Sequence, residues 1–132
     1  QGLIAPIALL YSEENRLRTV NLLKLKEESS DTDDPLAVAS IWNGGNYLNL
    51  HLMPKTQGGT QEWGYRSDST RSSHTGTIYH LSLYHRQPGD PYSYSTTVYA
   101  SLPLLPLGLQ EGDSITFTVL TFDGRKTWWF GF

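Results

Sequence analysis

The final twenty residues, Asp113 to Phe132 (DSITFTVLTFDGRKTWWFGF), decide the fold class. Asp123-Gly124 suits a two-residue type I′ turn, whose central positions both need positive φ. A bend there sets Phe122 opposite Arg125, Val119 opposite Trp128, Phe117 opposite Phe130 and Ile115 opposite Phe132. Directly opposed residues share a face, so the six bulky side chains of the last three pairs fall on one side of the ribbon. Thr116, Thr118 and Thr127 fall on the other side, with Leu120 and Trp129 among them. A one-residue slip would scatter both sets. The ribbon has a core-facing side, and it specifies an antiparallel β protein.

The rest of the chain repeats that pattern between turn signals. Tyr47 to Met53 alternates with Leu48, Leu50 and Leu52 on one face, and Thr77 to His85 alternates with Tyr79, Leu81 and Leu83 facing one way. Leu36 to Trp42, a short segment through Trp63 and Tyr65, and Ser93 to Leu102 read as further extended runs. Pro6 makes Leu3 to Tyr11 an edge strand, and Leu17 to Leu25 follows the polar turn Ser12 to Asn15. Glu27 to Pro35, Asn43 to Asn46, Pro54 to Thr60 and Gln87 to Pro91 are breaks, Arg66 to Gly76 reads as a mobile Ser/Thr-rich segment, and Leu104 to Leu109 as an irregular apolar connection. Seven to nine strands with no convincing helix imply an all-β, antiparallel β-sandwich.

A chain of 132 residues is expected to form one domain over 1–132, with 1–30 an N-terminal strand pair or the remnant of a preceding domain. Ten basic and thirteen acidic side chains give a net charge of −3, with no basic cluster, so nucleic acid is not an expected partner. No apolar run approaches the length of a membrane-spanning helix. With no cysteine there is neither a disulfide framework nor thiolate chemistry. No cofactor is expected.

Ile41-Trp42-Asn43-Gly44-Gly45-Asn46-Tyr47-Leu48-Asn49-Leu50 resembles the W-x-G-x-Y-L-N signature of NigD-like proteins of Bacteroidales, preceded here by the Asp34-Pro35 step. Tyr79 to Asp90 (YHLSLYHRQPGD) and Thr118 to Trp128 are similar to that family's later strand and closing F-D-G hairpin. The resemblance covers about Asp33 to the C-terminus. It implies the family's C-terminal immunoglobulin-like β-sandwich, export to the periplasm or anchoring to the outer membrane as a lipoprotein, and no established biochemical role. The family name comes from a bacteriocin operon, which suggests immunity or envelope protection. The chain opens at Gln1 without Met, which reads as a trimmed segment preceded by an export signal, a lipid-bearing cysteine or an N-terminal domain, the alternative being a shortened family member. Leu109 to Ser114, followed by an aromatic strand, also resembles the end of trimeric tumour-necrosis-factor and complement-type jelly rolls, though the middle of the chain fits that pattern less well.

The chemistry-bearing residues form no catalytic signature. His80 and His85 are five apart and point to opposite faces of a strand, and no closely spaced ligand pair suggests zinc. Asp31 to Asp34 starts like a calcium loop but lacks the later glycine and distal Glu, which leaves a solvated turn. There is no nucleophile elbow, and Ser72-Ser73-His74 is adjacency without geometry. The chain reads as a non-enzyme. Aromatics are the stronger candidates, because Tyr and Trp bury much area at little entropic cost. Trp63 and Tyr65 beside glycines, Tyr92 and Tyr94 after the Pro88 to Pro91 turn, and Trp129 on the threonine face are the expected ligand-binding residues. Their partner would be another envelope protein or, alternatively, a glycan stacked on loop aromatics. Trp42, Trp128 and Phe130 are expected to cap the core.

Overall fold

A computed structural model describes residues 18–24, 33–72 and 74–132. The expected edge strand at Leu3 to Tyr11, the turn at Ser12 to Asn15 and most of the Glu27 to Pro35 loop lie outside the described residues. Ten strands appear among the described residues: β1 (Arg18–Asn21), β2 (Ala37–Gly44), β3 (Tyr47–Met53), β4 (Lys55–Thr56), β5 (Glu62–Ser72), β6 (Thr77–Arg86), β7 (Tyr94–Ser95), β8 (Val98–Pro103), β9 (Ser114–Thr121) and β10 (Gly124–Gly131). Eight of them build two four-stranded sheets, in the orders β1-β8-β3-β2 and β10-β9-β6-β5, while β4 and β7 form a small separate ribbon. Two pairings, β1 with β8 and β6 with β9, are parallel in an otherwise antiparallel sandwich.

Alternation builds the core. Leu48, Leu50 and Leu52 of β3 and Val98, Ala100 and Leu102 of β8 pack with Leu81 and Leu83 of β6 and Ile115, Phe117 and Val119 of β9, all buried. Each such side chain contributes about 1.5–3 kcal/mol of transfer free energy. Trp128 and Phe130 pack partly buried against the cluster, as core caps should. Trp42 does not: it stands 38% exposed on the outer side of its sheet, because Ile41 takes the inward position in β2.

The closing hairpin keeps its predicted faces but not its predicted register. Thr121 pairs with Gly124, Val119 with Lys126, Phe117 with Trp128 and Ile115 with Phe130, so Phe122 and Asp123 form the turn. Gly124 takes the positive φ, at 104°. The Thr121 hydroxyl accepts the Asp123 N–H at 3.1 Å and donates to the Gly124 carbonyl at 2.6 Å, which closes the turn one residue earlier than the Asp-Gly pattern alone predicts. Partners are displaced by two residues, and a shift of two preserves which side every residue faces. Phe122, expected opposite Arg125, is placed at the tip instead.

The expected mobile segment at Arg66 to Gly76 is strand through Ser72, with a register shift between Ser67 and Ser69. The apolar connection contains a 3₁₀ turn at Leu105–Leu107. The register is testable, since the protein has no native cysteine. Thr118 and Thr127 are directly paired, with hydroxyl oxygens 2.9 Å apart. A Thr118→Cys/Thr127→Cys variant should oxidise readily to a disulfide, whereas Thr118→Cys/Trp129→Cys should not. Preferential bridging of the second variant would restore the later turn.

Candidate functional site

The parallel ladder between β6 and β9 runs only from Ile78/Ser114 to Ser82/Thr118. Beyond it the strands separate, and their inner backbone groups need new partners. Residues 33–36 supply them: the Asp34 N–H donates to the His85 carbonyl at 2.8 Å and the Leu36 N–H to the Leu120 carbonyl at 3.3 Å. The acidic run expected as a solvated turn is therefore, at Asp33 and Asp34, a wedge inside the sheet. Its charges are matched. Asp33 is buried and accepts two bonds from the Arg66 guanidinium, at 2.9 and 3.0 Å, while that guanidinium lies 5.2 Å from the Tyr84 ring centre.

Asp34 braces the adjoining end of the sandwich. One carboxylate oxygen accepts the Tyr92 hydroxyl at 2.6 Å, and the other accepts the Gln87 N–H at 2.6 Å with Arg86 Nε at 3.6 Å. The Tyr92 ring meets Phe122 edge-on, 6.0 Å between centres, and Lys55 Nζ sits 5.3 Å from the Phe122 ring centre. The β4–β7 ribbon carrying Lys55 is itself tied down: the Gln87 side-chain amide donates to the Lys55 and Asp90 carbonyls. The Asp90 carboxylate accepts the Thr56 hydroxyl and the amides of Gln57 and Gly59. Tyr92, Tyr94 and Phe122 remain 47%, 65% and 41% exposed. Beside Phe122 a cleft of about 180 Å³ opens between the start of β2 and the β9–β10 turn, lined by Val38, Lys126 and Trp128. Two exposed rings, Tyr92 held by the Asp34 carboxylate and Phe122 packed against it under Lys55, make a preformed surface.

The five residues expected to bind a ligand do not assemble. Tyr92 joins the end face, and Tyr94 stands near it on β7, paired with Thr56. Trp63 and Tyr65 are in β5 rather than in loops and face inward: Tyr65 is 5% exposed, and Trp63 stacks on the buried His85 at 4.4 Å. Trp129, at 63% exposure, pairs with Thr116 five residues up β10 from the turn, about 17 Å away. Phe122, Lys55 and Asp34 escaped sequence reading as site residues; for the first, an aromatic immediately before the Asp123-Gly124 turn was the available signal.

The histidines of the two sheets have separate partners. His80 Nδ1 lies 2.7 Å from the Thr116 hydroxyl on the outer face of β6, while the Ser82 hydroxyl donates to Asp68. His51 stacks on Tyr99 in the other sheet. Among the described residues no three His, Cys, Asp or Glu side chains are placed to share a metal ion.

Residues 19–132 match the NigD-like C-terminal beta sandwich domain. The chain belongs to this family. Among solved structures, a NigD-like immunity protein from Bacteroides caccae is 28% identical with a TM-score of 0.65; the match covers 87% of this chain and 59% of that one, so the chain spans little more than half its length. A candidate toxin-related protein from Parabacteroides distasonis (15% identity, TM-score 0.67, 86% and 60% covered) shares the fold. So does a candidate lipoprotein from Bacteroides fragilis (13%, 0.54, 86% and 68%). No curated protein matches the chain. Among the described residues no helix is long and apolar enough to cross a membrane.

In this NigD-like sandwich the Asp34–Tyr92 bond sets two titrations. Burial pushes the Asp34 carboxyl up, but the Tyr92 hydroxyl, the Gln87 amide, His85 and Arg86 together outweigh it and hold it below the ordinary value. The Tyr92 hydroxyl is pushed from 10.0 up to about 12, first by its bond to Asp34 and then by burial. A raised folded value means that this contribution to stability is intact below pH 10.0 and lost as pH rises through about 12. Phenolate absorbance should show Tyr92 ionising late, with Asp34→Asn returning it toward 10.0. Tyr65, delayed by burial, should keep its delay in that variant. A titration curve indifferent to Asp34→Asn would contradict the pair.

Proposed function

We infer that this chain is a non-enzymatic, exported module that binds a protein at the cell envelope, in the manner of an immunity protein, through the Tyr92–Phe122 end face. The carrying observation is the end face itself: exposed aromatic rings fixed from below by Asp34 and flanked by Lys55. Rigid rings of this kind lose little conformational freedom on binding, and they are the residues that dominate protein interfaces. The neighbouring cleft gives a partner side chain somewhere to seat. Support for immunity comes from the Bacteroides caccae relative, which is described as an immunity protein. Support for export comes from the family resemblance read in the sequence. Glycan stacking finds less here, because Trp63 and Tyr65 face the core.

The reading predicts a separation between binding and stability. Phe122 is at a turn, so Phe122→Ala should leave the melting temperature nearly unchanged. As an interface anchor its loss should weaken partner binding by about thirtyfold, about 2 kcal/mol. Susceptible Bacteroidales cells exporting the chain, challenged with bacteriocin preparations from neighbouring strains, should survive one of them. Cells exporting Phe122→Ala should not. Protection retained by Phe122→Ala and by Tyr92→Ala would remove the end face from the account, and substrate turnover abolished by a single Ser, His or Glu change would replace it.

A further inference from the structure

An exposed strand edge invites pairing with another chain, and folded proteins blunt their edges with short strands, bulges, covering segments or charged side chains. Three of the four edges here are shortened, bulged or covered, while the fourth carries only the charges of Arg125 and Lys126, both at its turn end. The described β1 has four residues. β2 carries a register shift between Val38 and Ser40. β5 carries another between Ser67 and Ser69, and is covered at Tyr65, whose N–H donates to the Leu23 carbonyl at 3.0 Å. The fourth edge is β10. It runs eight residues in unbroken register with β9, contains no proline, and among the described residues pairs with nothing on its other side.

The register also says which backbone groups face outward. The Phe132 N–H donates to the Asp113 carbonyl at 2.9 Å and its own carbonyl accepts the Gly112 N–H at 2.8 Å, so the Phe132 backbone groups face the strand that β9 continues. Alternate pairs follow, so Lys126, Trp128 and Phe130 bond to β9, while the N–H and C=O groups of Arg125, Thr127 and Trp129 point away from it. The side chains of those three outward residues lie on the outer face of the sheet, opposite Leu120, Thr118 and Thr116.

The sequence of this edge is complementary to itself. Antiparallel pairing of two copies about Thr127 sets Arg125 against Trp129 of the other copy and Lys126 against Trp128, twice each, with threonine on the axis. Cations then meet aromatic faces, an attractive arrangement, and no like charges oppose one another. A one-residue displacement of the axis toward the turn would set Lys126 against Lys126. We propose that β10 is an interface between two copies of this chain, joining their β10-β9-β6-β5 sheets into one eight-stranded sheet across a two-fold axis at Thr127. Such an interface is isologous. It shares only Lys126 and Trp128 with the cleft beside the end face, and stands whether or not that face binds a partner.

Sedimentation across a concentration series tests it. The native chain should pass from monomer to dimer as concentration rises. Thr127→Lys places two like charges directly opposite each other on the axis, and should abolish the dimer with little change in melting temperature, because the Thr127 side chain is exposed and gives up one solvent-facing hydrogen bond, to the Thr118 hydroxyl. Trp129→Ala should weaken dimerisation at least tenfold. A native chain that stays monomeric throughout overturns the proposal, and so does a dimer that survives both changes. An edge that instead accepts an acidic extended peptide, and binds it more tightly after Thr127→Lys, assigns β10 to a foreign strand and equally overturns it.

Discussion

β6 and β9 can stay paired for only five residues, and the rest of the structure arranges itself around the gap that follows. Leaving the separated backbones unpaired inside a sandwich would cost free energy at every orphan group. The chain entering β2 fills the opening first, at Asp34 and Leu36, and then crosses to the opposite sheet. One segment thus completes one sheet and begins the edge of the other. Two carboxylates in succession at that point would be unfavourable without partners, and Arg66 for Asp33 and Tyr92, Gln87 and Arg86 for Asp34 supply them.

From this constraint the functional surface follows. Asp34 emerges from the seam beside the β9–β10 turn, where it can reach Tyr92, and Tyr92 in turn supports Phe122. A hairpin tip carrying an aromatic would ordinarily be mobile; here its ring is packed from one side and capped by a cation. The aromatic face is a consequence of how the sheet is closed rather than a decoration added to a loop. Removing Asp34 would alter both.

What could be read from sequence was what period and parity govern. Leu48, Leu50, Leu52, Leu81, Leu83, Phe117 and Val119 all occupy the buried side that alternation assigns them. The two sides of the closing hairpin were likewise legible, because displacement by two residues leaves parity intact. The displacement itself was not, since it rests on the Thr121 hydroxyl engaging both sides of the turn. Trp63 and Tyr65 look like loop aromatics until β5 is known to run through them, and inward neighbours such as His85 come from 22 residues away in the chain. The wedge at residues 33–36 was least accessible of all. Two aspartates before a proline have the composition of solvent-exposed turn, and only the tertiary gap between β6 and β9 gives them an interior place.

Amide hydrogen exchange measured residue by residue bears most directly on that wedge. If residues 33–36 close the seam, the Asp34 and Leu36 amides exchange as slowly as those of Leu81 and Phe117 in the ladder itself, through global unfolding. Exchange at these two amides as fast as at Gly89 in the exposed turn after β6 would mean the segment merely lies against the sheet, and the support beneath Tyr92 and Phe122 would go with it.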